Sequence, residues 1–210
     1  MKRYLNYVIW TALGLVVSVS FFHGDQAPAE KPLATLNNKV KNLAAEVALG
    51  TMKLDTPKKM TACHTEGPLP DHDCTPGAVF ASATLTDICA IGYSQSVRSV
   101  TTAAKKKIYA AYGLAYPQAR GTFEADHLVP LELGGSNDAA NLWPEAANPA
   151  PGFKEKDIVE NYLHEESCAG NIGLEAAQVL VADDWFAVYD SLDPGEIAAL
   201  KAKFVNWSSN

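Results

Sequence analysis

Apolar residues change their spacing several times along this chain, and each change marks a predicted element. Tyr4 to Phe22 is almost continuously apolar, broken only by Asn6, Thr11, Ser18 and Ser20. Leu33, Leu36, Val40, Leu43 and Val47 then recur at threes and fours, which is one face of a helix, and Gly50 is its predicted end. Residues 55 to 78 are rich in Pro, Gly, Asp and His and read as a loop. Thr101 or Thr102 can cap a helix running through Ala103 to Tyr112, with Gly113 just past its end. From Thr122 the pattern becomes a short strand, a Gly-rich turn and a second short strand at Asn141-Leu142-Trp143. Helices are predicted from about Phe153 to Glu166 and from about Leu174 to Leu192. The second of these carries Leu174, Ala177, Leu180, Val181, Trp185 and Val188 on its apolar side. Asp193-Pro194-Gly195-Glu196 reads as cap, first-turn proline and capping-box glutamate, opening a final helix through Phe204.

The chain has 210 residues, enough for one domain with an N-terminal extension. Hydrophobic residues make up 48% and charged residues 20%, a globular rather than a disordered composition. Lys2 and Arg3 ahead of the apolar stretch give the order of an export signal, with Ser18-Val19-Ser20 and Ala27-Pro28-Ala29 as candidate cleavage sites. The stretch is also about long enough to span a bilayer, so an uncleaved anchor is the rival. Residues 1–29 are therefore read as signal or anchor, 30–54 as an amphipathic helix or spacer, and 55–210 as the main domain. The expected location is periplasmic, secreted, or membrane-anchored facing outside.

Four cysteines follow the signal, and an even number in an exported chain suggests two disulfides. Sequence leaves three pairings open. Cys63–Cys74 and Cys89–Cys168 are favoured: the first closes a short loop, and the second ties the region before residue 122 to a later helix. The alternative fate of Cys63-His64 and His72-x-Cys74 is a zinc site.

The stretch with most chemistry is Glu124-Ala125-Asp126-His127-Leu128-Val129-Pro130-Leu131-Glu132-Leu133-Gly134-Gly135, followed by Asn141-Leu142-Trp143-Pro144. Neighbours on a strand point to opposite faces, so Asp126 can hold a metal while His127 faces a substrate. Pro130 ends the strand. Gly134-Gly135 lets the chain reverse, because glycine adopts positive φ cheaply. Asn141 returns opposite the Asp-His pair, where both ends of its amide can bond loop backbone. Glu132 could reach the site from the turn but is read as facing solvent, and Trp143, Trp185 and Trp207 are read as packing residues.

This ordered set resembles the HNH nuclease family, with Asp126-His127 as its first pair and Asn141 as its middle asparagine. It resembles most a bacterial branch of exported HNH proteins. That branch carries Thr75-Pro76-Gly77-Ala78, Ile88-Cys89-Ala90-Ile91-Gly92-Tyr93-Ser94 and Val97-Arg98 before the motif. After it come Lys156-Asp157-Ile158-Val159-Glu160, Cys168-Ala169-Gly170 and Asp184-Trp185. The resemblance covers about residues 70 to 190. It implies an α+β, mainly helical domain built around a ββα-metal (HNH, or His-Me finger) hairpin, with the core motif at about 122–168. One departure stands out: where the family ends its motif with a His or Asn ligand, this chain has Ala150, with Asn148 nearby. Asp157 or Glu160 is the expected replacement.

The resemblance further implies a metal-dependent endonuclease that hydrolyses phosphodiester bonds of nucleic acid, DNA in preference to RNA. His127, neutral near pH 7, would be the general base, and Asn141 would complete the catalytic motif. Asp126 with Asp157 or Glu160 would hold one divalent cation, Mg²⁺ first, with Mn²⁺, Zn²⁺ or Ni²⁺ as alternatives. The alternative function is a non-catalytic module with a degenerate site that holds nucleic acid or an envelope polymer. The formal net charge of −7 opposes a nucleic-acid partner, but the charge is unevenly spread. No Asp or Glu lies between Asp87 and Glu124, a window holding Arg98, Lys105, Lys106, Lys107 and Arg120. These five are the expected nucleic-acid contacts, an ordinary solvated helix face being the plain alternative.

Overall fold

A computed structural model describes residues 36–48, 54 and 56–204. The predicted export segment, Leu33, Gly50 and Trp207 lie outside the described residues. The fold is α+β. Seven α-helices are described: α1 Leu36–Ala48, α2 Leu85–Ile88, α3 Tyr93–Val97, α4 Thr102–Ala111, α5 Phe153–Cys168, α6 Leu174–Asp190 and α7 Pro194–Lys203. Between α4 and α5 lie two antiparallel strands, β1 Phe123–His127 and β2 Leu142–Ala146.

The helix boundaries follow their caps. Thr101 Oγ1 accepts from the Ala104 amide at 3.1 Å and starts α4. Past its end Gly113 takes φ +71°. Asp193 accepts from the amides of Gly195 and Glu196, both at 2.9 Å, while Glu196 accepts from the Asp193 amide at 2.7 Å. That reciprocal box opens α7 as the sequence predicts. In α6 the structure adds a kink that no periodicity foretold. Asp184 leaves helical geometry (φ −158°, ψ 81°), and its carboxylate accepts from the Ala187 amide at 2.8 Å. It thus caps the second half of the helix.

Burial of the apolar faces builds one core. Val40 and Ala44 of α1 dock with α6, whose Ala177, Leu180, Val181, Trp185 and Val188 are buried. Leu174 is only partly buried. Trp143 of β2 and Val159, Tyr162 and Leu163 of α5 complete the same cluster. Trp143 and Trp185 are therefore packing residues, as expected.

Both favoured disulfides are formed, Cys63–Cys74 and Cys89–Cys168, which fits an oxidising, extracytoplasmic environment. The first removes the thiolates a zinc site would need and overturns that alternative. His64 instead lies 3.2 Å from the Asp71 carboxylate, and His72 Nε2 lies 2.9 Å from the Ala182 carbonyl oxygen. Among the described residues, no helix is long and apolar enough to cross a membrane.

Candidate active site

The site begins with the register of the two strands. Asp126 pairs with Trp143 and His127 with Leu142, and the Leu128 amide continues the ladder to the Asn141 carbonyl at 2.8 Å. The chain then turns tightly. Gly134 takes φ +79°, and a Cβ on Gly135 would fall 1.8 Å from the Val129 carbonyl oxygen. The first glycine supplies a left-handed backbone and the second a close approach that no side chain tolerates. Asn141, fully buried, holds the turn with all of its amide. Its Oδ1 accepts from the amides of Val129 (2.8 Å) and Ala78 (3.3 Å), and its Nδ2 donates to the carbonyls of Val129 and Ser136, both at 2.9 Å. Asn141 does not line the cleft described next. Both ends of its amide are spent on loop backbone, the bracing that its place opposite the Asp-His pair predicts.

A cleft of about 150 Å³ opens beside the end of β1. Asp126 and His127 line it from the hairpin, Asp157 and Glu160 from α5, Glu132 from the turn, and Arg98 from the end of α3. The sequence-predicted pair, both candidate carboxylates and one of the five candidate cations thus meet in one place. Lys105, Lys106 and Lys107 on α4 and Arg120 in the turn before β1 do not line the cleft. Ala150 and Asn148, in the loop between β2 and α5, do not line it either.

The structure adds four groups in and behind this cleft to the expected set. Glu132 does not face solvent: it lines the cleft, and its Oε1 is buried without a hydrogen-bond partner. Its 3₁₀ turn, Leu131–Leu133, is pinned by Gln178 of α6, which donates to the Leu133 carbonyl at 2.7 Å. Glu145 of β2 is 1 % exposed, and no N–H or O–H donor reaches either of its oxygens. Asn137 accepts from His127 Nε2 at 3.2 Å. Lys156 is fully buried and donates to Asp126 Oδ2 (2.6 Å), to the His127 carbonyl (2.8 Å) and to Glu160. One signal for Lys156 was present: it falls in helical register with the buried Phe153, Val159 and Leu163, and Glu160 follows one turn later.

Burial and crowding shift the charges in the cleft. Burial pulls His127 down to about 4, helped by the positive charges of Arg98 and Lys156 and opposed by Asp126 and Asn137, so the imidazole is neutral at physiological pH. Burial is the largest influence on Asp126 and would raise it, but the Lys156 charge, together with hydrogen bonds from Glu145 and Lys156 and the charge of His127, holds the carboxyl below its ordinary value. The other acids go the opposite way. Burial, then the charges of Glu160 and Asp157, push Glu132 up to about 8. Burial, then Glu160 and Asp126, push Asp157 up to about 8. Burial and Asp126 push Glu160 up to about 7 against the pull of Lys156. Glu145 is raised well above the usual carboxylate range, chiefly by burial and with the charge of Asp126 adding to it.

Comparison of the chain with family models, with curated proteins and with solved structures returned no match. The site therefore has to be read from its own chemistry. Among the described residues, the only three Cys, His, Asp or Glu donors within 4.8 Å of one another are Cys89, His164 and Cys168. Two of those are the sulfurs of a disulfide. His164 is turned away from the cleft, with Nε2 3.0 Å from the Ile88 carbonyl oxygen.

Proposed function

We propose that this chain is a metal-dependent endonuclease of the HNH type that hydrolyses phosphodiester bonds of nucleic acid, DNA in preference to RNA, outside the cytoplasm. One observation carries the reading. A neutral, buried imidazole and an ionised carboxylate, adjacent at the end of one strand, share a cleft with an arginine and three further carboxyl groups. An antiparallel hairpin followed directly by a helix is also the ββα order that the resemblance implies.

The donor set fits a hard divalent cation. The cleft offers oxygen donors from Asp126, Asp157, Glu160 and Glu132 and no thiolate. Glu132 has an orphaned buried oxygen. Magnesium is commonly held by one or two carboxylates with waters and substrate phosphates rather than by a closed protein cage, so three converging protein donors are not required. Asp126, Asp157 and Glu160 are the residues that would hold it, Asp126 and Glu160 being the two that Lys156 also engages. When bound, such a cation stabilises negative charge on the phosphate and on the leaving oxygen.

The chain's own residues supply the rest. His127 takes a proton from water as the water oxygen bonds to phosphorus and the phosphorus–oxygen bond to the leaving sugar breaks; solvent returns a proton to the leaving oxygen. Arg98 meets the non-bridging phosphate oxygens with paired N–H groups. Asn141 and Lys156 hold the loop and the strand end that carry the base.

A plasmid-nicking assay with Mg²⁺, Mn²⁺ or EDTA, on the native chain and His127→Ala, tests this. Cutting that needs both metal and His127 is expected. A second reading, a binding module without turnover, draws on Lys156, whose ammonium already occupies Asp126 and Glu160. Binding without cutting under every metal would establish it.

A further inference from the structure

Asn137 contacts three partners at once, and two of them decide which way its amide points. The Ser99 backbone N–H can only donate, and the Asn137 atom 3.1 Å from it is Oδ1. The Val97 carbonyl can only accept, and the atom 2.8 Å from it is Nδ2. Turning the amide over would set donor against donor and acceptor against acceptor, so its orientation is settled by backbone. Oδ1 also lies 3.2 Å from His127 Nε2, and an amide oxygen cannot donate. In the neutral imidazole the single ring proton therefore sits on Nε2, and Nδ1 keeps the lone pair.

The two backbone partners flank Arg98. The same amide that fixes the imidazole thus also fastens the segment presenting the cleft's arginine. Asn137 is itself held, because its loop neighbour Ser136 donates through its backbone to the Ala78 carbonyl at 2.8 Å and accepts from Asn141 at 2.9 Å.

We propose that Asn137 is a positioning residue that couples the base to the phosphate-binding arginine: it fixes His127 as the Nε2–H tautomer, leaving Nδ1 to accept the proton of water, and it locks Arg98 in register with that nitrogen. This rests on reading His127 as the base. Lys156, by contrast, reaches the His127 backbone carbonyl and not its ring.

The test uses the native chain labelled with ¹⁵N-histidine near pH 7.5, with His127→Ala identifying the His127 signals. The expected spectrum has a protonated Nε2, slow to exchange with solvent, and an unprotonated Nδ1. An Nδ1–H tautomer, or a mixture, overturns the proposal. Asn137→Ala should release the Nε2 proton to fast exchange and slow cutting by about 10²-fold; native-like cutting by that variant also overturns it. Asn137→Asp keeps an oxygen toward Nε2 and Ser99 but sets an oxygen against the Val97 carbonyl. It should keep the tautomer and raise KM more than it lowers kcat, and an altered tautomer there counts against the assignment. If the native chain cuts nothing, the nuclease reading fails while the spectrum still reports the tautomer, so the two failures are separable.

Discussion

The cleft is flanked by two walls of opposite chemistry, one behind its lining and one within it. Behind the lining, neutral amides, Asn137 and Asn141, spend their hydrogen-bonding capacity on backbone and on His127. On the other side Asp126, Asp157, Glu160 and Glu132, with Glu145 behind them, crowd around the single ammonium of Lys156. The amide wall is complete as it stands. The acid wall is electrostatically under-compensated: buried carboxylates retain protons because too little positive charge faces them. A side built this way stores its cost until a cation arrives, whereas the amide side needs no ligand to be rigid.

Substitutions on each wall should separate these roles. The largest effect belongs to His127→Ala, which should reduce cutting by about 10²–10⁴-fold; a variant that cuts normally would dismiss His127 as the base. Next in size, Lys156→Met strands Asp126 and Glu160 and should cost about 3–5 kcal/mol in denaturant unfolding. Asn141→Ala should cost on the order of 3 kcal/mol, since buried backbone groups lose their partners. The two losses should respond differently to Mg²⁺: it should restore stability to the lysine variant and do nothing for the asparagine variant. An equal response would erase the distinction between the walls.

Proton linkage gives a smaller and more continuous readout. Glu132 and Asp157 hold protons up to about 8 and Glu160 up to about 7 in the folded chain, while unfolded carboxyls release theirs near 4. The folded state binds more protons across that span, so these three make the metal-free protein less stable as pH rises from about 4 to about 8. His127 acts in the opposite sense: it refuses a proton until about 4 that the unfolded chain takes below 6.5. Its contribution falls away on acidification and is constant above 6.5. Between pH 6.5 and 8 the acid wall acts alone. With EDTA the Tm should therefore fall over that interval, and the gain from Mg²⁺ should grow; a gain independent of pH would mean the cation does not meet these carboxyls. The smallest effect is expected from Lys106→Ala and Lys107→Ala, both exposed on α4. If either meets phosphate, the salt dependence of binding should flatten by about 0.9 per contact, with kcat unchanged.

Local signals made much of this legible in the sequence. The helix carrying Trp185 and the Asp193–Glu196 cap follow from periodicity and neighbouring residues, and the Asp126-His127 pair, the two glycines and Asn141 announce a tight hairpin. What stayed hidden depends on distant parts of the chain. Glu132 reads as a solvent-facing turn residue until Gln178, 45 residues beyond Leu133, pins its turn against the cleft. Lys156 reads as one more helix cation, since a charge is rarely taken for a core residue; its burial makes sense only once Asp126 arrives from β1. Asn137 finds its role through Val97 and Ser99. The Asp184 kink was masked by an uninterrupted apolar face on either side of it.

The Cys89–Cys168 bond has a consequence for survival outside a cell. Its closure spans 79 positions, and every residue lining the cleft, from Ser94 to Asn161, lies inside that covalent ring. A protease that nicks any exposed loop within it opens the ring without releasing a fragment. The severed ends stay tethered through sulfur, and both halves of the cleft remain parts of one molecule.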